Sequence, residues 1–98
     1  MVMKLIENPH PGIILKKEFL EELSMSQNKL AQAINVPSNR IHAIIRGTRK
    51  VTADTDLRLS RFFRLSEGYW LRLQNLYDIE EAKRNNSESL KEIIPYNN

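Results

Sequence analysis

Residues able to perform covalent or acid–base chemistry are scarce in this 98-residue chain. Its only two histidines are His10, inside Pro9-His10-Pro11-Gly12, and His42, within a stretch of isoleucines. There is no cysteine, which removes disulfides, a thiolate nucleophile and Cys-ligated zinc together. No HExxH pair, glycine-rich phosphate loop or serine elbow occurs. Asp54 and Asp56 form a carboxylate pair, yet two acids in the first turn of a helix are explained by the positive end of its dipole. The expectation is a chain that is not an enzyme and carries no metal or cofactor. Basic residues are the plentiful chemistry. Residues 40–64 hold seven Lys/Arg (Arg40, Arg46, Arg49, Lys50, Arg58, Arg61 and Arg64) against Asp54 and Asp56, a local balance of +5. Clustering of that kind is what phosphate binding requires, although a solvated charged face has the same composition.

The bulk numbers limit the scaffold that can present this cluster. The length suits one domain, and the net charge is +3. No apolar run approaches the ~18 residues of a membrane span. Residues 1–8 lack the apolar core of a signal peptide, and with the missing cysteines this points to the cytoplasm.

Apolar spacing is helical throughout. Pro11 opens the first helix at a position where its missing N–H costs nothing. Ile14, Leu15, Phe19, Leu20 and Leu23 then form a core-facing stripe. Ser26 caps a second helix with Leu30, Ala31 and Ile34 inward, and Asn35 ends it in the left-handed conformation. A third helix, residues 37–45, turns Ile41, Ile44 and Ile45 inward and stops at Gly47. Thr52 caps a fourth helix with Leu57, Leu59, Phe62 and Phe63 as its apolar side. Ser66 is expected to cap a fifth, running through Trp70, Leu71, Leu73, Leu76 and Tyr77 to about Arg84, where Asn85-Asn86-Ser87 breaks it. The expected division is a domain over residues 1–84 and a tail over residues 85–98, partly ordered or disordered.

The run Ser26-Gln27-x-x-Leu30-Ala31-x-x-Ile34-Asn35-Val36-Pro37-x-x-x-Ile41-x-x-Ile44-x-x-Gly47 supplies two short helices, a tight turn and the apolar residues that hold their crossing angle. With Gly47-x-Arg49 it resembles the lambda-repressor-like (XRE-type) helix-turn-helix, about residues 26–47, in an all-α, five-helix fold with a short C-terminal extension. In that geometry the N-terminal part of the second helix enters the major groove of double-stranded DNA. By position, Ser38, Asn39 and Ala43 match the family's base-facing residues; Asn pairs with adenine and Ala touches a thymine methyl. Arg40 either reads guanine or clamps phosphate, and His42 faces phosphate or solvent. Gln27 resembles the family's phosphate-anchoring glutamine, with Arg46, Arg49 and Lys50 beside it on the backbone.

A narrower resemblance extends further. His10-Pro11-Gly12, Val51-Thr52-Ala53-Asp54-Thr55-Asp56-Leu57-Arg58-Leu59 and Tyr69-Trp70-Leu71-Arg72-Leu73-Gln74-x-x-Tyr77-Asp78, in this order, resemble the HigA-type antitoxins of bacterial toxin–antitoxin modules. The resemblance implies an antitoxin that neutralises a small, basic, mRNA-cleaving toxin of the HigB type and represses its own operon as a homodimer. The alternative is a stand-alone XRE-type repressor without a toxin partner. The fifth helix carries more apolar area than one packed side needs. The surplus marks Tyr69, Leu73, Leu76 and Tyr77 as a self-association face, unless all of it is core.

Overall fold

A computed structural model describes residues 7–97 as five helices, with no strand among the described residues. Helix α1 covers residues 11–23 in three continuous segments: α-helical Pro11–Ile14, π-helical Leu15–Leu20 and α-helical Glu21–Leu23. It starts as the sequence requires, with Pro11 at the first position and His10 as N-cap, the imidazole Nδ1 accepting a 3.0 Å bond from the Gly12 N–H. The π segment corrects one expectation. A wider turn puts residues five apart on one face, so Leu15 and Leu20 are both buried while Leu23 is 54% exposed.

Helices α2 (Gln27–Ile34) and α3 (Ser38–Arg46) form the expected pair. Ser26 Oγ accepts from the Lys29 N–H at 3.0 Å, and Leu30, Ala31 and Ile34 are buried. Asn35 takes φ 63° to turn the chain, and Gly47 ends α3 at φ 84°. Ile41 and Ile44 are buried, with Ile45 packed half-buried beside them.

Helix α4 (Ala53–Phe63) departs from expectation. Its inward residues are Thr55, Asp56, Leu59 and Ser60, whereas Leu57 and Phe62 face solvent. The helix is rotated by what Asp56 does. Its buried carboxylate accepts 2.7 Å bonds from the Gly68 and Trp70 N–H groups and a 3.2 Å bond from that of Leu71. Those donors open helix α5 (Tyr69–Lys91), so an anion borrowed from α4 caps α5. Ser66 is therefore not the cap; the residue before the helix is Gly68, at φ 90°, and the Ser66 hydroxyl accepts from Arg72 Nη2. Helix α5 also runs past Arg84. Only Asn86 leaves helical geometry (φ −126°, ψ 22°), and its side-chain amide donates to the Ala82 carbonyl.

The core joins all five helices around Leu15, Leu30, Ile41, Leu59 and the wholly buried Trp70. Phe19 and Phe63 pack at 4.7 Å, and Phe19 lies 5.0 Å from Trp70, in tilted geometries that suit ring quadrupoles. Helix α1 lies directly on α3. A Cβ on Gly12 would overlap the Ile44 carbonyl oxygen and come within 2.7 Å of Ile45 Cα. The loop after α3 is tied to α5 by the Val51 N–H, which donates to the buried Gln74 Oε1 at 2.9 Å. At the same end His10 stands edge-on to Tyr77 at 6.0 Å. Asn8 Nδ2 donates to the Tyr77 carbonyl and to Glu81 Oε2.

Two outcomes follow from these contacts. Replacing Asp56 by Ala orphans three amide donors, two of them at short range to a charged acceptor, and should cost about 3 kcal/mol or more. Urea unfolding followed through the fluorescence of the single tryptophan checks it, and a loss under about 1 kcal/mol would remove Asp56 from this role. Burial holds the His10 pKa below its ordinary 6.5. The unfolded chain then binds the additional proton, so the His10 contribution is complete above pH 6.5 and is lost as pH falls below it. His10→Asn keeps a capping oxygen without titrating, and its stability should fall less between pH 7 and 5 than that of the native chain.

Candidate nucleic-acid interface

The α2–α3 pair presents one polar face whose back is locked into the core. Ser38 and Asn39 are exposed at the start of α3. The N-cap Pro37 offers no side-chain bond, so the first-turn N–H groups of α3 are not closed off by a side-chain cap. Ala43, one turn beyond Asn39 on the same side, is half-buried. Its carbonyl accepts from both the N–H (3.0 Å) and the hydroxyl (3.3 Å) of Thr48, which pins the loop after α3. The structure thus brings Ser38, Asn39 and Ala43 onto one helix surface.

Gln27, the first residue of α2, is half-buried and lines an open cleft with Asn28, His42, Ile45 and Arg46. This places Gln27 and Arg46 at one edge of the α3 face, although 19 residues separate them in the chain. Arg49 and Lys50 are exposed on the following loop. Lys50 Nζ lies 3.3 Å from Asp78 Oδ2, and the other oxygen of that carboxylate accepts from Gln74 Nε2. Gln74 therefore positions both the loop backbone, through Val51, and the counter-charge of Lys50.

Arg40 is more tightly held. Its Nη1 is 2.7 Å from Asp54 Oδ2, and Arg58 Nε approaches the same oxygen at 3.0 Å. The Arg40 guanidinium first, and then that of Arg58, holds the Asp54 carboxyl below the usual carboxylate range. Arg58 Nη1 also donates to the Ile34 and Asn35 carbonyls, at 3.0 and 3.4 Å. It satisfies the open C-terminus of α2 and ties the turn of the motif to α4. In the sequence Arg58 is one more positive charge, because the carbonyls it binds lie 23 and 24 residues away and have no local signature.

The residues expected to form a self-association face separate into two kinds. Tyr69, Leu73 and Tyr77 are half-buried; Tyr69 packs on Trp70, and Tyr77 stands against His10. Leu76 is 66% exposed, and Ile79 beside it on the helix is 54% exposed. No helix among the described residues is long and apolar enough to cross a membrane.

Known proteins share this arrangement. The helix-turn-helix family model matches residues 16–70. Virulence-associated protein I of Dichelobacter nodosus is 42% identical over 86 residues, which are 88% of this chain and 79% of that protein. A HigA-family addiction module antidote protein from Coxiella burnetii, solved as a structure, is 42% identical. It superposes with a TM-score of 0.87 over 93% of this chain and 100% of its own. The Pseudomonas aeruginosa antitoxin HigA, solved with the higBA promoter, is 36% identical with a TM-score of 0.87 over the same shares. The agreement in sequence and in structure runs through almost the whole chain, which belongs to the helix-turn-helix family of DNA-binding regulators, in its HigA-type antitoxin group.

Proposed function

We infer that the chain is the antitoxin of a type II toxin–antitoxin module, acting in the cytoplasm. It neutralises a HigB-type mRNA-cleaving toxin and represses its own operon by binding double-stranded operator DNA as a homodimer. The observation that supports this most is the α3 face. Ser38 and Asn39 stand exposed on a short helix whose opposite side, Ile41 and Ile44, is fully packed. A rigid helix with small polar side chains at its N-terminal end suits the major groove of B-DNA, which is wide enough to admit it. The solved relative from Pseudomonas aeruginosa, which carries promoter DNA, favours the same use of the face.

In this reading Ser38 and Asn39 read base edges and Ala43 touches a thymine methyl. Gln27, Arg40, Arg46, Arg49 and Lys50 hold phosphates on either side. Asp54 and Asp78 keep Arg40 and Lys50 extended in the free protein and share them with phosphate on binding. Such sharing costs little, because ion pairs at the surface are individually weak. Two copies associate through the outer face of α5, with Leu76 at its centre and Tyr69, Leu73 and Tyr77 beside it, and place two α3 helices about 34 Å apart on an inverted repeat.

The test is fluorescence anisotropy on the DNA just upstream of the gene and on scrambled DNA, across a salt series. Preferential binding to the upstream DNA at two chains per site supports the reading; equal, salt-sensitive binding to both would overturn specific repression. Asn39→Ala should weaken binding to the upstream site by about 1–3 kcal/mol and relax discrimination at one base pair. An equal loss on every sequence would move Asn39 to the phosphates. Arg49→Ala should weaken all DNA alike and flatten the salt slope by about one unit. An unchanged slope would take it off the backbone.

A further inference from the structure

Two surfaces lack partners within one copy of the chain. The first is the C-terminal segment, residues 87–96. Ile94 is 87% exposed and Tyr96 89%, the largest values among the large apolar residues, with Leu90 and Ile93 exposed beside them. Glu88 and Glu92 give this apolar segment an acidic edge, offset only by Lys91, which lies 3.9 Å from Glu88. The second is the outer face of α4. Leu57 is 47% and Phe62 38% exposed, and both border a groove closed on its other side by Ala33 and Ile34 of α2. Arg61 lines the same groove, with Arg64 one turn on, and neither forms an ion pair among the described residues.

We propose that residues 87–96 of one copy seat on the α4 groove of a second copy, apolar residues against Leu57 and Phe62 and glutamates against Arg61 and Arg64. The chemistry matches on both counts: the apolar residues meet Leu57 and Phe62, and the glutamates meet Arg61 and Arg64, while the groove's one acid, Asp54, is already paired with Arg40 and Arg58. The fold explains why the groove is another copy's. The last hydrogen bond between α5 and the body is that of Glu81 with Asn8, and every described residue from Ala82 onward is exposed. A further ten helical residues carry the segment about 15 Å clear of its own body. The single irregular residue, Asn86, lies in this overhang and kinks it. This contact lies apart from the Leu76 face of α5 and from Ser38, Asn39 and Ala43, and borders the α3 side only at Asp54, which also holds Arg40. It therefore adds a second bond between copies and does not depend on DNA recognition.

The absence of native cysteine makes disulfide trapping clean. A Phe62→Cys variant of the full chain is mixed with an Ile94→Cys variant, oxidised mildly and run on a non-reducing gel. The expected result is a cross-linked pair between the two variants, at a yield about tenfold above that of Glu18→Cys with Ile94→Cys. Adding Arg61→Glu to the first variant should lower the yield, and adding Glu92→Arg to the second should restore it. Equal yields for both pairings would overturn the proposal. So would a chain carrying both Phe62→Cys and Ile94→Cys that closes its disulfide within itself and stays monomeric. Neither readout involves DNA, so failure of operator binding leaves this result interpretable.

Discussion

A single buried carboxylate holds the arrangement together. Asp56 receives the opening N–H groups of α5 and so sets where that helix begins and how it is rotated. Everything α5 contributes depends on that placement. Trp70 fills the centre of the core, Gln74 holds the loop after α3, Tyr77 backs His10, and Asp78 meets Lys50. His10 in turn caps α1 and packs against Gly47, where a Cβ would lie 2.8 Å from its imidazole. The reading helix is thus clamped at both ends: by Arg40 and Asp54 near its start, and by His10, Thr48 and Gln74 at its close. A buried ion normally carries a large desolvation cost. Here three amide donors and the positive end of a helix replace the lost water.

Local signals were legible in the sequence, and signals carried by distant partners were not. The helix-turn-helix core followed from the spacing of Leu30, Ile34, Ile41 and Ile44, and the turns at Asn35 and Gly47 from backbone chemistry alone. Those positions need no knowledge of the rest of the chain. Leu23 lies outside the core because the π-helical segment before it breaks the ordinary helical period. Hydrophobicity points Leu57 and Phe62 inward, while the inward face of α4 is largely polar. Ser66 looked like a cap because serine usually is one; the real cap lies twelve residues upstream of Gly68. In the site, Ser38 and Asn39 were legible as exposed polar residues on a helix with a fixed apolar back. The approach of Arg40 to the Asp54–Arg58 pair is not, since it requires α3 and α4 to meet.

The basic cluster, read as one feature from composition, becomes two in space. Asp54 and Asp78 neutralise part of it at the α3 face, leaving Arg46 and Arg49 as the cations on that side without a carboxylate among the described residues. Arg61 and Arg64 lie instead on the outer side of α4. Net charge along the chain therefore overstates the charge that any one surface presents. The acids do not simply cancel the bases; they fix their directions, and a guanidinium held in place loses less conformational freedom when a second anion approaches.

Among the described residues, three helix-ending turns use the left-handed conformation without glycine: Ser24 at φ 51°, Asn35 at φ 63° and Arg64 at φ 60°. Asparagine tolerates that region well, but serine and arginine hold it at roughly 1 kcal/mol each relative to glycine. Folding strength has been left unclaimed at Ser24, an exposed turn position that belongs to neither the α3 face nor the α4 groove. A chain of this size can be hardened by small backbone edits far from its working faces, and its natural sequence stops short of that ceiling.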